Sequence, residues 1–123
     1  MPTDHATRVL RVAEGVRGEL AAMLAEEVRD PGAAGAVITR VEMANDLRSG
    51  KVLVRLLEGG DVPERRKTLL DALGRARGML RREVTQRLGL RHAPELRFVY
   101  DEGLDRTTRV EELLAEIEAE RKK

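Results

Sequence analysis

A chain of 123 residues with no cysteine is sized for one domain with a real core and can build neither a disulfide framework nor a thiolate metal site or nucleophile. No apolar run approaches the roughly 18 to 20 residues that span a bilayer, and Met1-Pro2-Thr3-Asp4-His5 lacks the regions of a signal peptide, so a cytoplasmic protein is expected. The formal net charge of +1 hides a segregation: residues 65–94 carry 9 basic and 2 acidic side chains, or +7, between flanks of −3 each.

From Arg8 to Val28 the positions Val9, Val12, Val16, Leu20, Met23, Leu24 and Val28 recur at steps of three and four, which predicts an amphipathic helix. Asp30-Pro31-Gly32 stops it, because proline disfavours helical geometry in the residue before it. Ala36 to Ala44 alternates, with Val37, Thr39, Val41 and Met43 on one face, and Lys51 to Leu57 is rich in strand formers. The turn formers Asn45 to Gly50 between them predict a β-hairpin.

Asp61, Pro63 and Glu64 read as a capping box that opens the next helix. Its apolar phase runs through Leu69, Leu70, Leu73 and Ala76 and resumes at Met79, Leu80, Val84 and Leu88, ending at Gly89. Between the halves stand Gly74 and Gly78. Each costs roughly 1 kcal/mol against alanine inside a helix, so the segment is read as a helix broken for a ligand whose backbone comes close. Glu95 to Asp101 predicts a third strand with Leu96, Phe98 and Tyr100 on one face. Thr108 with Glu111 opens a last helix, whose Val110, Leu113, Leu114 and Ile117 dock it by one face and whose outer face is acidic.

An active site is hard to assemble from these residues. Ser49 is the single serine and sits in a turn, His5 and His92 stand at a chain end and in a loop, and Asp46 and Asp101 read as turn caps. Metal clusters, a Walker loop and a dinucleotide fingerprint are absent from the sequence, so no cofactor and no enzymatic activity are expected. Binding is the better reading. The basic excess surrounds the glycine junction, where a polyanion backbone can approach and a new helix N-terminus would offer amide donors. Arg75, Ala76, Arg77, Gly78, Arg81, Arg82 and Arg87 are the candidate RNA-binding residues. One phenylalanine and one tyrosine, both in the third strand, leave no stacking platform, so binding should be led by phosphate and sensitive to salt.

The junction Ala76-Arg77-Gly78 resembles the Ala-x-Gly variant of the Gly-x-x-Gly loop of type II KH domains that marks the bacterial ribosome-binding factor A family. Arg11-Val12, Asp30-Pro31, Val41-Glu42-Met43, Asp46-Leu47, Lys51-Val52, Pro94-Glu95-Leu96-Arg97-Phe98 and Tyr100-Asp101 agree with the same family, over about residues 8 to 115. The resemblance implies an α+β, type II KH-like single domain in the order α-β-β-α-kink-α-β plus a C-terminal helix. Residues 1–7 would be a flexible N-terminus, 8–103 the domain and 104–123 a C-terminal helical extension.

The resemblance also implies a non-enzymatic ribosome assembly factor. It would be a monomer that binds the free 30S small subunit, assists late maturation and processing of 16S rRNA, matters most in the cold, and works with a ribosome-associated GTPase. Gly74, Gly50 and Leu53 depart from the family pattern, which expects a longer residue, an alanine and an aromatic there. Two alternatives stay open: a general KH-type binder of single-stranded RNA, and a protein-interaction module that uses the acidic last helix.

Overall fold

The computed structural model describes residues 4–103 and 114–121. It contains α1 (Asp4–Glu26), a 3-10 turn (Pro31–Ala33), β1 (Ala36–Met43), β2 (Ser49–Leu56), α2 (Pro63–Leu88) and β3 (Glu95–Tyr100), and residues 114–121 are helical. This is the α+β order expected from the sequence, except that the single helix α2 stands where two helices joined at a kink were predicted.

Helix α1 buries Val9, Ala13, Val16, Leu20 and Met23, a stripe at steps of three and four. It starts at Asp4, reaching back into the stretch expected to be a flexible N-terminus, and the His5 imidazole Nε2 donates to the Asn45 carbonyl at 2.7 Å. Past the helix, the Asp30 carboxylate accepts the Gly32 N–H at 3.0 Å and so caps the turn that Pro31 begins.

Strands β1 and β2 pair antiparallel, with a register shift between Ile38 and Arg40. The extra residue, Thr39, reverses the facing of the strand. Ile38 and Val41 therefore both enter the core, where strict alternation would have placed them on opposite faces. In the hairpin turn Leu47 holds φ +60, the one positive φ among described non-glycine residues. A left-handed leucine costs roughly 1–2 kcal/mol. The turn is held by the Leu47 N–H on the Ala44 carbonyl at 2.9 Å and the Arg48 N–H on the Asp46 carboxylate at 3.0 Å.

β3 pairs parallel to β2, giving the order β1-β2-β3. Parallel neighbours need a long crossover, and α2 supplies it. Val52, Val54 and Leu56 of β2 and Leu96 of β3 join the buried cluster with α1 and α2, and Phe98 and Tyr100 pack half-buried against it. Lys51, Arg55 and Arg97 alternate to the other face.

The broken helix of the sequence reading is one continuous α-helix of 26 residues. Two glycines weaken it by roughly 1 kcal/mol each, but fully burying one leucine returns roughly 1.5–3 kcal/mol. Leu69, Ala72 and Leu73 before the glycines and Leu80 and Val84 after them are buried, so packing on both sides carries the helix through. Its start also differs: Val62, not Asp61, is the N-cap, and no side chain caps it. Pro63 suits that first turn because its missing N–H has no intrahelical partner there. Gly89 ends the helix as expected, at φ 62, with the Leu90 N–H reaching back to the Thr85 carbonyl at 3.0 Å.

Among the described residues, the last helix does not dock by its apolar face. Leu114 and Ile117 are 56% and 47% exposed, the core face of the sheet being taken by α1 and α2. Thr108, Val110, Glu111 and Leu113 lie outside the described residues.

Candidate nucleic-acid interface

At 3.6 residues per turn, Gly74, Gly78, Arg81 and Thr85 stack on one face of α2, with Arg77 and Arg82 on its two flanks. Apart from the backbone of α2 itself and the adjoining residues, nothing among the described residues lies within 4 Å of where a side chain would begin at Gly74 or Gly78. The helix surface is therefore a shallow floor between guanidinium groups. A cleft lined by Gly78, Arg81, Arg82, Thr85, Gln86 and Ala93 continues it toward the loop before β3.

The seven residues predicted to bind RNA do not share one role. Arg77 and Arg82 are exposed and form no ion pair among the described residues. Arg75 is exposed too, but its guanidinium meets the Asp30 carboxylate at 2.8 Å, tying α2 to the turn after α1. The Gly32 N–H and this arginine hold the Asp30 carboxyl below its ordinary value. Arg81 is half-buried: Nε donates to the Pro94 carbonyl at 3.0 Å, Nη2 to the Ala93 carbonyl at 2.8 Å, and Glu95 stands 3.0 Å away. It fastens the β3 entry to α2.

Arg87, at the surface, faces Glu27, Glu19 and Glu83, at 2.5, 3.5 and 3.5 Å. Its hydrogen bond to Glu27, reinforced by the other two carboxylates, raises the guanidinium pKa. Ala76 turns inward and packs against the core, and Gly78 stays on the floor.

Because α2 is continuous, the N–H of residue 78 is bound within the helix. The free amide donors and positive dipole end expected at Gly78 are not there, so the attraction for phosphate comes from side chains. Thr85, Gln86 and Ala93 extend the surface without having been legible in the sequence. Only the helical phase could have pointed to the first two.

The family model described as ribosome-binding factor A matches residues 8–114 of this chain. The chain belongs to the ribosome-binding factor A family. A ribosome-binding factor A of Sorangium cellulosum (strain So ce56) is 48% identical over 110 residues, covering 89% of this chain and 88% of that protein. The crystal structure of ribosome-binding factor A from Thermus thermophilus shares the fold, with a TM-score of 0.65 at 21% identity, over 75% of this chain and 93% of that one. A homology model of the Thermus thermophilus factor fitted into the cryo-EM map of a 30S complex is also similar, with a TM-score of 0.52 at 24% identity over 71% of this chain and 92% of that one. These neighbours and the α-β-β-α-β order agree with the KH-like single domain that the family resemblance implied.

Proposed function

We propose that this chain binds the free 30S subunit through 16S rRNA and assists late maturation and processing of that RNA without catalysing a reaction. One observation carries the reading: the glycine floor of α2, flanked by Arg77 and Arg82, which form no ion pair among the described residues, lies inside the +7 stretch. The family and the 30S complex of the Thermus thermophilus relative support the choice of target.

Arg77, Gly78 and Arg82 make the direct contacts. Arg81 borders the same surface while holding the β3 entry, whereas Arg75 and Arg87 are turned away from it, toward Asp30 and toward Glu19 and Glu27. Guanidinium groups suit this work because their planar fork meets phosphate oxygens two at a time. Phe98 and Tyr100, the only aromatic residues, pack against the core, which weighs against a base-stacking binder of short single strands. The factor acts as a cytoplasmic monomer, matters most in the cold, and is released with the help of a ribosome-associated GTPase.

Gradient sedimentation with immature and mature small subunits tests the proposal. Wild type is expected to travel with free subunits, and Arg77→Glu with Arg82→Glu to stay at the top of the gradient. Undiminished co-sedimentation of that variant would remove the α2 surface from the account.

A further inference from the structure

We infer that Arg8, Arg48 and Arg91 form a second phosphate site, which takes a backbone phosphate of the same ribosomal RNA. The inference rests on the proposal that this chain binds ribosomal RNA.

Three segments far apart in the chain converge here: the start of α1, the hairpin turn and the loop between α2 and β3. They line a cleft of about 240 Å³, to which His5 and His92 also contribute. The one acid on its wall is Asp46, and a carboxylate oxygen of that residue already accepts the Arg48 N–H at 3.0 Å. Arg17, Arg40, Arg66, Arg75, Arg81 and Arg87 all reach carboxylates. Arg8, Arg48 and Arg91 reach none among the described residues. Three like charges gathered around one cleft repel one another, and an anion bound between them adds attractions that offset that repulsion.

The cleft is held in shape before any ligand arrives. His5 fastens the start of α1 to the Asn45 carbonyl at 2.7 Å, and the Glu95 N–H fastens the turn to β3 through the Arg48 carbonyl at 2.9 Å. The Gly89 and Leu90 backbone bonds fix the exit of α2. A rigid frame lowers the ordering cost of binding.

Charge and position point to the ligand. The wall carries three arginines against one carboxylate and no phenylalanine, tyrosine or tryptophan, which suits a phosphate group better than a stacked base. Ala93 lines the Gly78 cleft, and Arg91 and His92, immediately before it in the chain, line this one. A strand lying on the glycine floor of α2 reaches the second site by crossing this loop, with phosphates meeting arginine at both ends.

The test compares four full-length proteins on free small subunits over a series of KCl concentrations: wild type, Arg77→Glu with Arg82→Glu, Arg48→Glu with Arg91→Glu, and Arg48→Lys with Arg91→Lys. Thermal melts verify the fold of each, and Arg48→Ala with Arg91→Ala replaces the glutamate pair should that pair fail to fold. The glutamate pair at 48 and 91 is expected to weaken binding about tenfold and to flatten the log-log salt dependence by about 0.7 per lost contact. The lysine pair should keep the wild-type slope. Wild-type affinity and slope in the 48 and 91 reversal, beside weak binding of the 77 and 82 reversal, would overturn the second site and leave the α2 reading standing. The opposite pattern would overturn the α2 reading and keep this site. Weakened binding at unchanged slope, with a photocrosslinker at position 92 joined to protein instead of RNA, would assign the cleft to an acidic ribosomal protein and also overturn the inference.

Discussion

The Thr39 hydroxyl donates to the Asp101 carboxylate at 2.6 Å, linking the bulge in β1 to the residue that follows β3 across the intervening β2. This bond, the Gly103 N–H on the other carboxylate oxygen at 2.8 Å, and the charges of Arg40 and Arg55 hold the Asp101 carboxyl below its ordinary value of 3.8. A carboxylate depressed in the folded state stabilises fully above that value, and the contribution disappears as pH falls below it. Asp101→Asn is therefore expected to lower stability at pH 7 by about 1–2 kcal/mol, less than the roughly 1.5–3 kcal/mol of a hydrogen bond to a charged group because asparagine keeps one acceptor oxygen. The gap between variant and wild type should narrow under acid, as followed by chemical denaturation at neutral pH and at pH about 3. An equal gap at both would remove Asp101 from the link.

Gly60 is constrained by the ring that closes the same end of the sheet. A methyl group there would sit 2.2 Å from the Tyr100 hydroxyl, which accepts the Leu56 N–H at 3.1 Å. The Arg66 guanidinium lies over that ring, 4.2 Å from its centroid, and also donates to the Gly60 carbonyl. Gly60→Ala should cost about 1–3 kcal/mol by overpacking, and less in a Tyr100→Phe background that has no hydroxyl to displace. A double-mutant cycle in denaturant measures the difference, and strict additivity would contradict the contact.

The glycines of α2 behave in the opposite way. Nothing opposes a methyl group at Gly74 or Gly78, so Gly78→Ala should stabilise the fold by about 0.5–1 kcal/mol through helix propensity. The same methyl group stands on the floor where RNA is placed. Weaker binding to small subunits is expected from a more stable protein, and calorimetry with a sedimentation assay reads the two effects separately.

Arg87 tests the division between arginines that hold the fold and those that meet RNA. Its guanidinium serves Glu19, Glu27 and Glu83, so Arg87→Ala should lower the melting temperature, by an amount that shrinks in high salt. The salt slope of subunit binding should stay at the wild-type value. A flattened slope would place Arg87 on the RNA.

Local chemistry made much of this fold legible in advance. The stripe from Val9 to Met23, the Asp30-Pro31 stop, the hairpin and the Gly89 terminus each depend on residues near in sequence, so spacing and turn chemistry were sufficient. The Thr39 bulge was hidden because it is set by register with β2, and the parallel pairing of β3 because it is set by the α2 crossover. The continuity of α2 was missed for a related reason: propensity counted the cost of Gly74 and Gly78, while the burial of Leu73 and Leu80 that offsets it belongs to the tertiary structure. At the site, the charge segregation located the surface. It could not distinguish Arg77 and Arg82 from Arg75, Arg81 and Arg87, whose partners lie 45, 13 and 60 residues away.

The most direct test of the central claim is the salt dependence of small-subunit binding by wild type and by the Arg77→Glu, Arg82→Glu variant. Neither side chain bonds another side chain among the described residues, whereas a substitution at Arg81 would also release the loop before β3. The account predicts folded protein with weakened binding and a log-log slope flattened by about 0.7 for each single-strand phosphate contact removed. Binding of wild-type strength with an unchanged slope would contradict it.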